Sequence, residues 1–500
     1  MALIVSDASN PGTSAADALD GPAIAAIAAG HLLRTAARPV FRAAVDSRRV
    51  EPGMLFVALP GEHTDGHRYL AEAARRGAAA LLITRELADA DLDALCGAAP
   101  GGCSIVRVDD GLAALQALAS AWRSRFHPLV VGITGSVAKT STKEAAATVL
   151  SERLRVLRSE GNENNEIGLP LTLLGLERGH QAAVVEMGMY VPGEIAQLAA
   201  IARPRIGVVT AVRGIHLERA GSIEAIEEGK GQLVEALPPD GTAVLNADDP
   251  RVRRMDGRTR ARVLRYGFAD DADVTARQVT SRGLAGMRFE LRLPGGAERS
   301  VEIPALGRHE VQNGLAAAAV GLAAGLDADA IVAGLARGWH AAHRNTLLHV
   351  GPWIVVDDTY NAGPDSMAAA LDLLATLPGR RVAVLGEMLE LGPETSVLHR
   401  AVGARAARCA DLLVAVGEGG APIAEGARAA GMPAAGVLAV PDIQAALETL
   451  LARLAPGDVV LCKASRGLGM DPGIRSARGL GLDDLVEALQ RAASAGAAVA

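Results

Sequence analysis

The stretch GITGSVAKTSTKE, Gly132 to Glu144, places Lys139, Thr140 and Ser141 directly behind a glycine turn. An apolar run, PLVV, precedes it, and the helix-like segment TSTKEAAATVLSERL follows. A strand, a loop and a helix start in that order can cradle phosphates with backbone N–H groups, here around Gly135 and Ser136. The lysine supplies an ammonium for the phosphates, and Thr140 or Ser141 a hydroxyl for Mg²⁺. The strict phosphate-loop pattern is broken twice, by Ile133 at its first glycine and Ala138 at its second. On spacing alone an ordinary strand-to-helix turn stays open as the alternative. If the loop works, a Cβ at residue 138 crowds the phosphates and weakens nucleotide binding by about 1–2 kcal/mol, on the order of ten-fold.

Four more segments carry chemistry. Glu186 ends the apolar strand pattern QAAVVE, and His216 sits in RGIHLERAGS. Each could be structural, but both fall at the same sheet edge as the loop, which makes them candidate metal ligands. In SIEAIEEGKGQLVEAL, Ile223, Ile226, Leu233 and Leu237 recur at helical spacing, and Lys230 falls in the gap of that stripe. Such a lysine either snorkels to water or is buried with a depressed pKa. A buried neutral amine can capture CO₂ as a carbamate, an anionic oxygen ligand for a second Mg²⁺. GNENNEIGLP offers Asn162, Asn164 and Asn165 to a polar ligand. VVDDTYNAGPDSM and GDVVLCKASRG bring carboxylates, then Lys463, Ser465 and Arg466 as candidate substrate contacts, to strand ends, where solvated turns are the plain alternative.

Positioning such groups requires sheets with aligned strand ends. RIGVVT and TAVLNA repeat the short apolar pattern of QAAVVE, with helical patterns between, which predicts parallel strands with crossovers. Ligands of such sheets bind beyond the carboxyl ends, where the phosphate loop, Glu186, Thr210 and Asn246 fall. Residues 273–304 read as an antiparallel excursion. A small α/β unit precedes this region at residues 43–84, with a strand at Met54–Leu59 and a helix at Arg68–Arg76. A third unit starts near Gly351 with strands WIVVDD, RVAVLG, LLVAVG and DVVLCK. The fold class is therefore α/β, three units in series. Their expected limits are 1–107, with 1–20 a loose tail, then 108–346 and 347–500.

The chain's 500 residues suit about three domains, and its aromatic content of 2% means cores built from Ala, Val, Leu and Ile. A net charge of −7 without a basic run argues against nucleic-acid binding. Cys96, Cys103, Cys409 and Cys462 show neither metal-ligand pairing nor a disulfide framework, which points to a reducing compartment. With no signal-peptide or membrane-span pattern, the expected setting is the cytoplasm, without membrane insertion.

Taken in order, DSRRVEPGMLFVAL, DGHRY, TGSVAKTSTKE, GNENNEIGLPLTLL, VVEMGM, PGEI, HLERAGS, LNADDP, GRHEVQN, DDTYNAGPDSM, LGEMLELG and KASR resemble the Mur ligases. They span about residues 43–466. GNENNEIGLPLTLL and DDTYNAGPDSM point to the branch that joins D-alanyl-D-alanine to UDP-N-acetylmuramoyl-tripeptide. The resemblance implies an N-terminal domain for the UDP end, a central ATP-binding domain with a phosphate-loop-type parallel sheet, and a C-terminal Rossmann-like domain. It implies ATP and Mg²⁺ as cofactors, an acyl-phosphate intermediate, a role in cytoplasmic peptidoglycan precursor synthesis, and a monomer. Lys139 would hold the β- and γ-phosphates and Thr140 one Mg²⁺. Glu186 and His216 resemble Mg²⁺ ligands, and Lys230 the family's carbamylated lysine. Asn313 and Arg344 resemble ATP contacts, Asp358 the ribose contact, and Ser47 and Arg48 lie where the UDP moiety is received.

Several positions depart from the family. Tyr190 and Val191 stand where Asn-His is usual, Ala211 where Asn is common, Gln232 where Glu is common, Gly363 for Asn and Ala464 for Gly. Two other readings accommodate these changes. One is a paralogous ligase for a different carboxylate and amine, the other a non-catalytic nucleotide-binding relative. The third residue of the tripeptide, meso-diaminopimelate or lysine, is open from sequence.

Overall fold

The structure, a computed structural model, describes residues 18–61, 64–214, 221–465 and 481–497. Long apolar runs bounded by Gly, Pro and Asp form strands covered on both faces, as buried parallel sheets require. Three sheets result. The first has five strands in the order His31–Arg34, Ser104–Arg107, Ala80–Ile83, Leu55–Val57, Ala43–Ala44, all parallel except the first pair. Leu19 and Asp20, assigned to a loose tail by composition, are instead built into this unit. Leu19 bridges Val40 and is buried, and Asp20 accepts from Ala23 N at 2.8 Å to cap the helix Gly21–Ile27.

The second sheet has nine strands. Its order is Glu298–Ile303, Met287–Arg292, Val274–Ser281, Arg262–Gly267, Thr242–Asn246, Ile206–Val209, Leu129–Thr134, Ala182–Glu186, Val156–Arg158. The last six are parallel, and the first three form the antiparallel excursion. Ile133 pairs with Glu186 and Thr134 with Val209, so the phosphate-loop segment, Glu186 and Thr210 share one carboxyl edge.

The third sheet has six strands in the order Thr346–Val350, Trp353–Asp357, Val459–Lys463, Arg381–Leu385, Leu412–Val416, Val437–Val440. The outer strands, Thr346–Val350 and Val437–Val440, were not read from the sequence. Each is short and lies at an edge, where half-exposed residues blur the apolar pattern.

Packing follows from the shortage of aromatic residues. The helix Lys139–Leu150 lies against Arg308–Ala323 and Ala328–Arg337, both rich in alanine. A Cβ on Gly334 would stand 2.6 Å from the Val149 backbone, so these helices approach too closely for larger residues. The result buries ten of the twelve residues of Lys139–Leu150 and fixes the start of that helix against the sheet edge. Helix Gly111–Arg123 has the opposite duty. Its apolar face joins strands of the first sheet and of the second in one core, tying the two units together. No helix among the described residues is long and apolar enough to cross a membrane.

Candidate active site

The phosphate loop runs from Gly135 to Ala138. Gly135 has φ +151°, and a Cβ there would fall 1.8 Å from Thr210 Oγ1, so only glycine fits. The same hydroxyl donates to Val137 O at 2.6 Å, and Asn246 Nδ2 donates to Thr210 O at 2.7 Å. Thr210 and Asn246 thus brace the loop. Ala138, the residue before the helix, has φ 66° and ψ 1°. Left-handed backbone costs an L residue roughly 1–2 kcal/mol. The need for glycine here is therefore conformational as well as a matter of room for phosphates. Ala138→Gly is expected to tighten nucleotide binding, read as a lower dissociation constant for ADP. It should also raise thermal stability by about 0.5–1 kcal/mol, the relieved strain less glycine's extra unfolded-state entropy. Weaker nucleotide binding in the glycine variant would show a backbone adapted to alanine.

Lys139 donates from Nζ to Gly135 O at 2.8 Å, spanning its own loop. Burial lowers its pKa, with Arg344 adding to the effect and Glu186 opposing it. Ser136 lies in the same loop, and Ser141 is buried one turn into the helix.

Glu186 is 1% exposed, at the end of its strand. Thr140 Oγ1 donates to its Oε2 at 2.9 Å, and Asn164 Nδ2 to its Oε1 at 2.8 Å. Among the described residues no cation of the chain pairs with it. A buried carboxylate oriented by two hydrogen bonds, with the Lys139 ammonium near enough to act on it but not paired to it, is a hard oxygen donor for a cation such as Mg²⁺. Among the described residues there is no cluster of three His, Cys, Asp or Glu. One buried carboxylate beside a hydroxyl suits a cation that takes its remaining ligands from water or substrate phosphates. His216 lies outside the described residues.

Lys230 is 4% exposed on the helix Ile223–Glu235, with no hydrogen-bond partner among the described residues. Its stripe partners Ile226, Leu233 and Leu237 are buried, while Ile223 is only partly so. Burial pushes its pKa well down, and Lys139 pushes it further. Gly229 next to it lets the helix meet Met189, whose side chain lies 2.5 Å from where a Cβ would stand. Burial rather than snorkelling is thus what the fold gives this lysine.

The asparagine loop divides its labour differently from the expectation of three ligand-facing amides. Asn164 orients Glu186. Asn165 Oδ1 accepts from Gly168 N at 2.8 Å and starts the helix Gly168–Leu173. Asn162 is half-buried in the loop. Lys143, fully buried, donates to Ser159 O at 2.6 Å and Gly161 O at 3.0 Å and so fixes where the loop begins. Its place one turn after Lys139 was the signal available in the sequence.

In the first unit, Ser47 Oγ donates to Glu72 Oε2 at 2.9 Å, and Arg48 pairs with Asp46 at 2.7 Å. Arg49, missed from sequence, reaches Glu160 at 2.9 Å and Glu163 at 2.8 Å, clamping this unit onto the asparagine loop.

Asn313 accepts from Thr142 Oγ1 at 3.2 Å and donates to Glu310 Oε2 at 3.1 Å. Just before the first strand of the six-stranded sheet, Arg344 lies over the Tyr360 ring, 3.9 Å from its centroid. Its Nε is buried without a partner. Asp358 Oδ2 accepts from Lys463 Nζ at 2.6 Å. Lys463 also donates to Asn361 O at 2.9 Å, and Ser465 Oγ donates to Ala362 O at 3.0 Å. Lys463 and Ser465 were expected to meet substrate. Here they pin the turn that carries Asp358, because the lysine is 2% exposed and turned inward. Arg466 lies outside the described residues. His343, also missed, holds the neighbouring Asp357 at 2.9 Å through Nδ1.

Residues 43–123 match the Mur ligase family catalytic domain, 133–321 the Mur ligase middle domain, and 343–466 the Mur ligase glutamate ligase domain. The chain is 39% identical over 457 residues to the UDP-N-acetylmuramoyl-tripeptide–D-alanyl-D-alanine ligase of Mycobacterium tuberculosis H37Rv, covering 85% of this chain and 89% of that one. The chain belongs to the Mur ligase family. The Escherichia coli K12 ligase of the same name is 39% identical over 380 residues, 75% of this chain and 80% of its own. Among solved Mur ligases, MurF from Acinetobacter baumannii superposes with a TM-score of 0.78 at 28% identity, over 93% of this chain and 98% of that one. MurF from Thermotoga maritima, in complex with ADP, gives 0.75 at 27% identity over 91% and 98%. The three sheets are thus the Mur ligase architecture.

Proposed function

We propose that this Mur ligase joins D-alanyl-D-alanine to UDP-N-acetylmuramoyl-tripeptide at the expense of ATP. The observation that carries the chemistry is the convergence of Lys139, Thr140, Glu186 and buried Lys230 at one sheet edge. The relatives named for that reaction, matched over most of the chain, carry the substrate assignment.

The phosphate loop receives the ATP phosphates on its N–H groups, and Lys139 turns from Gly135 O to the β- and γ-phosphates. Arg344 and Asn313 border the nucleotide, and Asp358 meets its ribose. Ser47, Arg48 and the asparagine loop face the UDP-linked substrate. Thr140, Glu186, His216 and the carbamate of Lys230 would hold Mg²⁺, which would supply positive charge to the phosphoryl oxygens in transfer. The carbamate forms as the neutral Lys230 amine bonds to CO₂ and releases one proton.

The substrate carboxylate attacks the γ-phosphorus and expels ADP, giving an acyl phosphate. The free amine of D-alanyl-D-alanine adds to the acyl carbon. Collapse of the tetrahedral adduct forms the amide and releases phosphate. An ¹⁸O label in the tripeptide's terminal carboxylate must therefore appear in inorganic phosphate, one atom per turnover. Unlabelled phosphate formed alongside pentapeptide would overturn the acyl-phosphate route. The cytoplasm, where ATP and UDP-linked precursors occur together, is the setting this reaction requires.

A further inference from the structure

Arg213 follows the strand Ile206–Val209 through Thr210, Ala211 and Val212. Its backbone is gripped by the phosphate loop. Arg213 N donates to Ser136 Oγ at 2.9 Å, Ser136 Oγ donates to Arg213 O at 3.1 Å, and Ser136 N donates to Ala211 O at 2.8 Å. The guanidinium is aimed by a buried carboxylate. Nη1 pairs with Asp249, which is 1% exposed. Asp249 is itself fixed: Oδ2 accepts from Val212 N at 2.9 Å, and Oδ1 caps the helix Pro250–Arg253 through Arg251 N at 2.9 Å. One edge of the guanidinium remains, and Nε meets Asp365 Oδ2 at 3.1 Å.

Asp365 belongs to the six-stranded unit. It lies in the first turn of the helix Pro364–Thr376, behind the same strand-end turn that carries Asp358. Arg213–Asp365 is an ion pair between the nine-stranded and six-stranded units. A chain of hydrogen bonds and ion pairs therefore runs from Ser136, inside the phosphate loop, through Arg213 to Asp365, behind the turn that carries Asp358.

We infer that Arg213 is a positioning residue that docks the third unit on the phosphate loop through Asp365, and so sets the fraction of molecules ready to bind nucleotide. This rests on the nucleotide reading of the site. If only the docked arrangement binds tightly, apparent affinity scales with its population, and breaking the pair weakens binding without touching the loop. The aspartate's side chain is 70% exposed, so its effect is modest and sensitive to salt.

The test is ADP titration by calorimetry with full-length Asp365→Asn, Asp365→Arg and Asp365→Glu, at low and high salt. At low salt the dissociation constant should rise about three-fold for Asn and about ten-fold for Arg. Glu should restore wild-type binding, and high salt should shrink the differences. Small-angle scattering of the nucleotide-free Arg variant should show a larger radius of gyration than wild type. Wild-type ADP affinity in both the Asn and Arg variants at low salt would overturn the latch. A wild type that binds ADP but joins no peptide would overturn the ligase assignment and leave the latch standing.

Discussion

Lys230→Ala is expected to abolish ligation, with a loss of about 10³-fold or more, and short carboxylates such as formate or acetate are expected to return part of the activity. The scale is that of removing a preorganised electrostatic group from a phosphoryl-transfer site. The rescue follows because the carboxylate occupies the space of the missing carbamate. A companion variant, Lys230→Met, separates catalysis from folding. The amine sits in an apolar stripe without a partner among the described residues, so methionine at that position should fold at least as well. The pH dependence has a definite sign. Burial holds the Lys230 pKa well below 10.5 in the folded chain, so between the two values the unfolded chain binds a proton that the folded one lacks. Wild-type stability therefore rises with pH across that window, and the penalty of burying the amine is greatest at its acid end. In CO₂-free buffer the methionine variant's advantage in melting temperature should shrink as pH rises toward 10.5. Full activity in the alanine variant would remove the carbamate from the account.

Glu186→Gln is expected to cost about 10²–10³-fold in turnover and to raise the Mg²⁺ concentration needed for half-maximal rate. The substitution keeps size and removes charge. Thr140 can turn its hydroxyl to accept, or Asn164 its amide, so both hydrogen bonds survive. A buried charge without a cation is unfavourable, so the melting temperature of the metal-free protein should hold or increase. Lost activity with stability retained is the pattern of a metal ligand. An unchanged Mg²⁺ requirement would make Glu186 a structural brace for Thr140 alone.

Most of what the sequence declared was declared by periodicity and punctuation. Strand cores such as Ala182–Glu186 and Thr242–Asn246 read clearly because parallel strands buried on both faces are continuous apolar runs. Lys230 was legible for a related reason: a charge inside a helical apolar stripe breaks a pattern. What stayed hidden was pairing. Nothing in KASR says that Lys463 turns inward to Asp358, because that contact joins residues 105 apart through sheet topology. Asn164 and Asn165 are adjacent and identical in type, yet one orients a carboxylate and the other starts a helix. Nothing in the sequence signals that Arg49 and Arg213 meet Glu163 and Asp365, partners that the juxtaposition of units gives them. The reason for glycine at residue 138 was read as space, whereas a left-handed φ of 66° supplies a second one.

The central claim is tested most directly by phosphate release measured across a matrix of UDP-muramyl peptides and dipeptides, with ATP and Mg²⁺ present throughout. Release that requires both UDP-N-acetylmuramoyl-tripeptide and D-alanyl-D-alanine, with pentapeptide formed in equal amount, is the predicted result. The same matrix, with meso-diaminopimelate or lysine as third residue, identifies the tripeptide used. Nucleotide binding without release in any cell of the matrix, or release driven by a different carboxylate and amine, would contradict the account.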